Sequence, residues 1–316
     1  MNVAAMFKHL DKAEEALLVR WESWLNAAFR SIPWRELEKL SKASAGPRAL
    51  GRLPPLLTIE GGTLAQILAD HGAEMVAAGL AHGDVLVEEL HNKYRNRKMA
   101  DQIFDDLPEL KPVDLARLVD EPEGETSETV YGIRKFAELP GFDFQYGDDP
   151  RVIPEQAISA MQARAIILAG DVDADMGAQV KKALVRFLAG KTRQETEVAL
   201  EDILKSTRER ASLITTTETT YSYNRGRLAS FAENRVDYVR FSAVMDGRTS
   251  PICRSRHGLI MRLDDPRVSG NTPPLHGRCR SILDPLYSAY QGSFITEDRL
   301  NWSDVASLPK GWKSAT

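Results

Sequence analysis

A chain of 316 residues is too long for one ordinary hydrophobic core and suggests two or three units. Its net charge of −4 excludes a global pull towards nucleic acid, and no apolar run approaches the roughly 18 residues that a membrane helix needs. The opening MNVAAMFKHLDKAEEALLVRW lacks the long apolar core of a secretion signal, and two cysteines suit a reducing compartment better than a disulfide framework. A cytoplasm is the expected setting.

Residues 5–30 have the spacing of an amphipathic helix, with Leu10, Leu17, Trp21, Trp24, Leu25 and Ala28 on one stripe, and Pro33 ends it. Residues 41–55 are a small-residue and proline loop. Thr63, followed by Gln66, is placed to cap a helix running to about Arg97. Leu64, Ile67, Leu68 and Met75 form its apolar face, and Gly79 and Gly83 are expected to interrupt it. Residues 1–100 are therefore expected to be an N-terminal helical region. Residues 101–153 carry acids and prolines with few apolar anchors, as a linker or loose excursion does. Between Asp101 and Glu128 ten acids face only Lys111 and Arg117, a net of about −8.

From Pro154 the pattern is firmly helical. Val180, Leu184, Phe187 and Leu188 form a stripe that stops at Gly190. Thr192 with Glu195 makes a capping box, and Leu200, Ile203 and Leu204 give the face of a short helix. Ser206 with Glu209 makes a second box, expected to open a further helix to about Asn234. Four antiparallel helices are expected here in all. After Asn234 the period changes to that of a strand through VDYVRFSAVM, and Asp246-Gly247 marks a turn. Gly258–Leu263 and Arg280–Leu283 are two further short strands around a proline and glycine loop. The expected fold is mainly α with a small α+β end: a helical bundle followed by a small antiparallel β-sheet with a Cys/His-tied loop region. The units are expected to be 1–100, 101–153, 154–285 and a tail, 286–316.

Both cysteines lie in that end, with two of the six histidines between them. Cys253 and His257 form one close pair, His276 and Cys279 another. Two pairs on two turns meet the count and spacing of a tetrahedral structural zinc site, with four protein ligands leaving no position for water. The alternative is buried thiols packing side by side with loop-bonding histidines. Between Arg225 and Arg280 there are eleven arginines, no lysine and five acids, a net of about +6. Arg225, Arg227, Arg248, Arg254, Arg256, Arg278 and Arg280 are candidates for sequence-blind phosphate contact, against a protein interface or internal ion pairs. Thr217 and Glu218 lie in the long helix, where Glu218 is expected to tie helix to sheet through an arginine such as Arg248. No second acid or base accompanies it, so catalysis is not expected. Gly190-Lys191-Thr192 ends like a phosphate loop, but Val185 stands where its first glycine belongs, and the chain has no HExxH, GxSxG or GxGxxG. His9, His71, His82 and His91 lack ligand spacing and are expected to be surface or core histidines.

Four pieces in order, RERASLITTTET, VRFSAVMDGRTSPIC, RSRHG and PPLHGRCRS, resemble the phage head-morphogenesis domain of phage Mu F-like minor head proteins, over about Pro154 to Pro285. The resemblance implies a virion role in procapsid assembly at the portal vertex of a tailed phage or prophage. It implies the portal protein as partner, with scaffold, major capsid protein and packaged DNA as further contacts and no membrane. It places the protein inside the head, and in host cytoplasm during assembly. The motif positions Thr217, Glu218, Asp246, Gly247, Cys253, His257, Gly258, Pro274, His276 and Cys279 are then expected to build the domain. Only about 30 residues follow Pro285, which argues against the toxin domain that some relatives carry. The rival readings are a metal-dependent nuclease and a zinc-stabilised cytoplasmic adaptor.

Overall fold

The computed structural model describes residues 3–42, 61–95, 153–265, 267–287 and 305–308. All but the last residue of the expected linker, 101–153, and most of the loop at 41–55 and of the C-terminal tail lie outside the described residues. Helices α1 (Val3–Arg30), α2 (Trp34–Lys42), α3 (Gly61–Arg95), α4 (Ile153–Leu188) and α5 (Arg193–Glu233) precede β1 (Tyr238–Ser242). A short α6 (Pro251–Arg256), β2 (Ile260–Arg262), a short α7 (Arg267–Asn271) and β3 (Ile282–Leu286) follow. The chain is mainly helical with a small antiparallel sheet at the C-terminal end.

The apolar stripes fold as their spacing dictates. All six stripe residues of α1 are buried, as are Leu64, Leu68 and Met75 of α3 and the four stripe residues of α4. One core cluster joins Leu17 and Trp21 of α1, Leu64 and Leu68 of α3, Leu184 of α4 and Leu200 and Ile203 of α5. Residues from the expected N-terminal region and from the expected 154–285 unit therefore share a core.

Two expectations about helix breaks are corrected. Residues 193–233 form one helix of 41 residues, so two long helices stand where four were expected. The Thr192–Glu195 capping box starts that helix as the sequence implies. Ser206 does not start another; its hydroxyl donates to the Ile203 carbonyl within the continuous helix at 3.0 Å. With no glycine or proline between Arg193 and Arg225, the backbone has no reason to leave the helix, and a capping signature inside it becomes a local side-chain bond.

Helix α3 also runs unbroken, beginning at Gly61, ahead of Thr63. Gly79 is instead where another helix comes close. A Cβ at Gly79 would stand 2.1 Å from the Tyr223 carbonyl oxygen, and one at Gly226 would stand 2.0 Å from that of Val76. The two glycines let α3 and α5 cross backbone to backbone, the use of glycine that its lack of a side chain permits. This crossing places the second half of α5 at the centre of the molecule.

The sheet has the order β2-β1-β3, all antiparallel. Val239 faces Met261 on one side and Pro285 on the other, and Phe241 pairs with Leu283. Pro285 cannot donate to a ladder, and it sits on an edge strand where that is tolerated. Val239, Phe241, Leu259, Met261 and Leu283 form a second core with Cys253, Cys279 and α5 residues Leu228 and Phe231. The strands expected at 236–245, 258–263 and 280–283 are all present, the third displaced towards the C-terminus.

Candidate metal centre and its polar dock

Helix α5 supplies the platform. Within its second half Thr215, Thr217, Glu218, Thr219, Thr220, Ser222, Asn224, Arg225, Arg227 and Ser230 are all buried. Buried polar groups are costly unless bonded, and one stripe of them is bonded to the chain around β3. Thr217 accepts the Arg278 amide at 3.1 Å, and the Thr220 hydroxyl donates to the Cys279 carbonyl. Asn224 donates to the Ser281 carbonyl and accepts the Leu283 amide, at 3.1 and 3.2 Å. Arg227 donates twice to the Leu283 carbonyl and pairs with Asp284 at 3.0 Å. Positions 217, 220, 224 and 227 follow helical spacing, so one face of one helix docks residues 278–284.

Glu218 lies beside that stripe and faces α4. Arg164 reaches it with two parallel bonds, Nε to Oε2 at 2.8 Å and Nη2 to Oε1 at 2.6 Å, with both side chains buried. The Arg164 guanidinium also stacks on Tyr221, 3.9 Å from the ring centroid. The tie expected between Glu218 and Arg248 is therefore helix to helix instead. Arg164 was missed because it lies 54 residues away and no local pattern pairs the two.

The docked segment ends in the Cys/His cluster. Ser250 caps α6, its Oγ accepting the Cys253 amide at 3.3 Å, and Pro251 occupies the first turn. This aims Cys253 inward. The tight turn His276–Cys279, closed by a Cys279 amide to His276 carbonyl bond, brings the other pair. Arg278 in this turn and Gly258 after α6 both have left-handed backbones, at φ 59 and 87. The peptide between Pro273 and Pro274, just before the turn, is cis. Cys253 Sγ stands 3.5 Å from Cys279 Sγ and 3.1 Å from His276 Nε2. The ligating atoms of Cys253, His276 and Cys279 all lie within 4.8 Å of one another.

His257 is not among them. Its Nδ1 accepts the Ala243 amide at 3.1 Å, holding its ring against the end of β1. The expected four-ligand set thus becomes a three-ligand set. The His276 tautomer is fixed by its surroundings: Nδ1 lies 2.7 Å from the Gly277 carbonyl, which only accepts, so Nδ1 carries the proton. Nε2 is left with its lone pair pointing at Cys253 and at the Ser250 hydroxyl, 2.7 Å away. The Nδ1–H bond to the Gly277 carbonyl is the arrangement that orients metal-ligating histidines.

The thiols are electrostatically unequal. The hydrogen bond to Cys279, then burial, pushes Cys253 well above its ordinary value. Burial pushes Cys279 up, but the Cys253 hydrogen bond and the neighbouring His276 outweigh it and hold Cys279 well below its ordinary value. A tetrahedral ion with bonds of about 2.3 Å to sulfur and 2.0 Å to nitrogen would put two sulfurs about 3.8 Å apart and sulfur about 3.5 Å from nitrogen. The Cys253–Cys279 and Cys253–His276 separations, 3.5 and 3.1 Å, need widen only a few tenths of an ångström to reach those values. Cys253, His276 and Cys279 fit a thiophilic ion.

The arginines are mostly internal. Arg225, Arg227 and Arg256 are buried. Arg225 lies over the Tyr221 ring, and Arg256 bonds Asn271, the Ile252 carbonyl and the Ala306 carbonyl. Burial lowers Arg256 to about 10. Arg254 reaches the Asp246 and Thr249 carbonyls, and Arg280 grips both oxygens of Asp246 at 2.8 and 2.9 Å. That grip, with the Arg248 amide, holds Asp246 below the usual carboxylate range and fixes the turn at Gly247. Of the seven expected phosphate contacts, only Arg248 and Arg278 are exposed. Composition located the charge but not the acids and carbonyls that take it up.

The remaining histidines behave as core groups where they are enclosed. His71 Nε2 bonds the Thr219 hydroxyl at 2.7 Å, and burial lowers it to about 4. His82 Nδ1 lies 2.8 Å from the Tyr223 hydroxyl.

The helical bundle docks the small sheet on its central helix through a polar stripe, and the Cys/His cluster closes the dock. Residues 178–283 match the family model described as Phage Mu protein F like protein, which supports a phage Mu F-like head-morphogenesis relationship for this stretch. That family is one of structural phage head proteins. No curated protein and no solved structure matches the chain. The matched stretch runs from within α4 into the start of β3, and so contains the polar half of α5, β1, β2, the first two residues of β3 and the whole cluster. Among the described residues no helix is long and apolar enough to cross a membrane.

Proposed function

We propose that the protein is a minor head protein of a tailed phage or prophage, acting in procapsid assembly at the portal vertex. The portal protein is its principal partner, scaffold and major capsid protein are neighbours, and packaged DNA is a sequence-independent contact through Arg248 and Arg278. It works in the host cytoplasm during assembly and then within the virion. The observation that carries the reading is the family match over the segment that builds the polar dock and the cluster. A phage deleted for the gene is complemented with the wild-type chain or with Glu218→Gln, and heads are counted by electron microscopy. Full-length protein is also sedimented with portal. Wild-type rescue with portal co-sedimentation is the expected result; normal heads without the protein would sink the proposal. In this reading the N-terminal helices dock on portal or scaffold; deleting residues 1–150 is a poor test of that, because α1 and α3 help bury α5. Substituting exposed residues of α1, such as Val19, tests it without opening the core.

The cluster, in this reading, holds one zinc ion in a structural role through Cys253, His276 and Cys279. It would link α6 to the docked turn and so support the sheet. The nuclease alternative is weaker: among the described residues the metal-capable group contains no carboxylate, and Glu218 is occupied by Arg164.

A further inference from the structure

A thiophilic divalent ion in a tetrahedral site takes four donors, and the chain brings three together. We propose that the fourth position opens beside the Ser250 hydroxyl and is held by an exchangeable solvent-derived ligand that small anions replace. The inference rests on the reading of Cys253, His276 and Cys279 as a metal centre.

Position comes from hydrogen bonding. His257 is held to the Ala243 amide and lies outside the ligating group. The Ser250 hydroxyl stands 2.7 Å from His276 Nε2, the same lone pair that a metal would take. Once that pair is given to an ion, the hydroxyl stays beside the site, anchored by the Cys253 amide and in reach of the Cys253 sulfur. A hydroxyl both donates and accepts, so it can orient water or an anion at the ion's open side.

Access comes from burial. Cys253 and Cys279 are buried, whereas Ser250 and His276 are partly exposed, so solvent reaches the cluster from their side.

Charge favours an anion there. Two thiolates neutralise a dication. Arg256 is buried on the same helix three residues after Cys253, and its bonded partners Asn271, Ile252 and Ala306 are all neutral. One positive charge is left over near the centre, and a bound anion compensates it.

The test loads the full chain with Co²⁺ and records its visible absorption with rising azide. One ion per chain, four-coordinate bands and an azide-dependent shift are expected. His257→Gln should keep both the bands and the shift. Ser250→Ala should keep the ion but weaken the azide response several-fold. Bands indifferent to azide in the unmutated protein, or four-coordinate bands lost in His257→Gln, would overturn the fourth-position inference and leave the metal in place. Folded protein that takes up no cobalt would overturn the metal reading and this inference together.

Discussion

The two halves of α5 solve the same burial problem with opposite chemistry. Its first half, to about Ile214, uses an ordinary apolar stripe of Leu200, Ile203, Ala211 and Ile214 against α4 and the outer helices. Its second half buries threonines, a glutamate, an asparagine and arginines, and satisfies named members of that set one bond at a time. Apolar packing is non-directional and tolerates drift. A buried hydrogen-bond network accepts one geometry and penalises every orphaned group. The polar half therefore specifies where residues 278–284 must lie, and with them the cluster. The apolar half supplies stability without such instruction.

Breaking the buried ion pair should distinguish the halves most sharply. Glu218→Gln leaves Arg164 charged and under-paired in the interior and should cost about 3–5 kcal/mol in chemical denaturation. Pairing Glu218→Leu with Arg164→Met should recover most of that loss, since no charge is then stranded. If the double change is as damaging as the single one, the polar half does more than satisfy itself.

The apolar half should respond differently. Leu184→Ala, at a fully buried stripe position of α4, should cost about 3 kcal/mol through lost contact and cavity. No second substitution elsewhere in the stripe should rescue it. The same denaturation series decides this.

A subtler contrast concerns pH. Burial raises Glu14, which accepts a bond from Thr216, from 4.5 to about 7. The unfolded chain then releases this proton first, so the Glu14 contribution falls as pH rises from 4.5 to 7, by up to about 3 kcal/mol. His71, lowered from 6.5 to about 4, works in the opposite sense: its contribution is complete above 6.5 and is lost as pH falls towards 4. Between 4.5 and 6.5 the two offset each other. Glu14→Gln should therefore unmask His71, giving a stability that climbs with pH over that interval while the unmutated protein stays flatter. A parallel pair of curves would refute the assignment.

The smallest effect belongs to the exposed start of α5. Thr192→Ala removes the hydroxyl half of the capping box, leaving Glu195 on the backbone amide of residue 192, and should cost about 1 kcal/mol, with no change at the cluster. Melting temperature and cobalt absorption together check both parts.

Much of the fold was legible along the chain. The stripes of α1, α3 and α4, the Thr192 cap, the change of period after Asn234 and the turn at Asp246-Gly247 are local signals, and each appears where spacing put it. The glycines of α3 misled because a lone glycine signals either a break or a close approach, and only the partner tells which. Ser206 misled for the related reason that a capping signature inside a run of helix formers has no terminus to cap.

The site divides along the same line. Its sequence named Cys253, His276 and Cys279 by type and spacing, and the polar spacing of Thr217, Thr220, Asn224 and Arg227 was there to be found. Sequence fixes periodicity and local turns, because both depend on neighbours a few residues apart. Only the folded molecule turned His257 to the Ala243 amide, gave Glu218 to Arg164 rather than Arg248, and drew Arg227 and Arg256 inside. Those choices depend on which groups, from 14 to more than 50 residues away, arrive within hydrogen-bonding distance once water has been excluded, and no spacing rule carries that information.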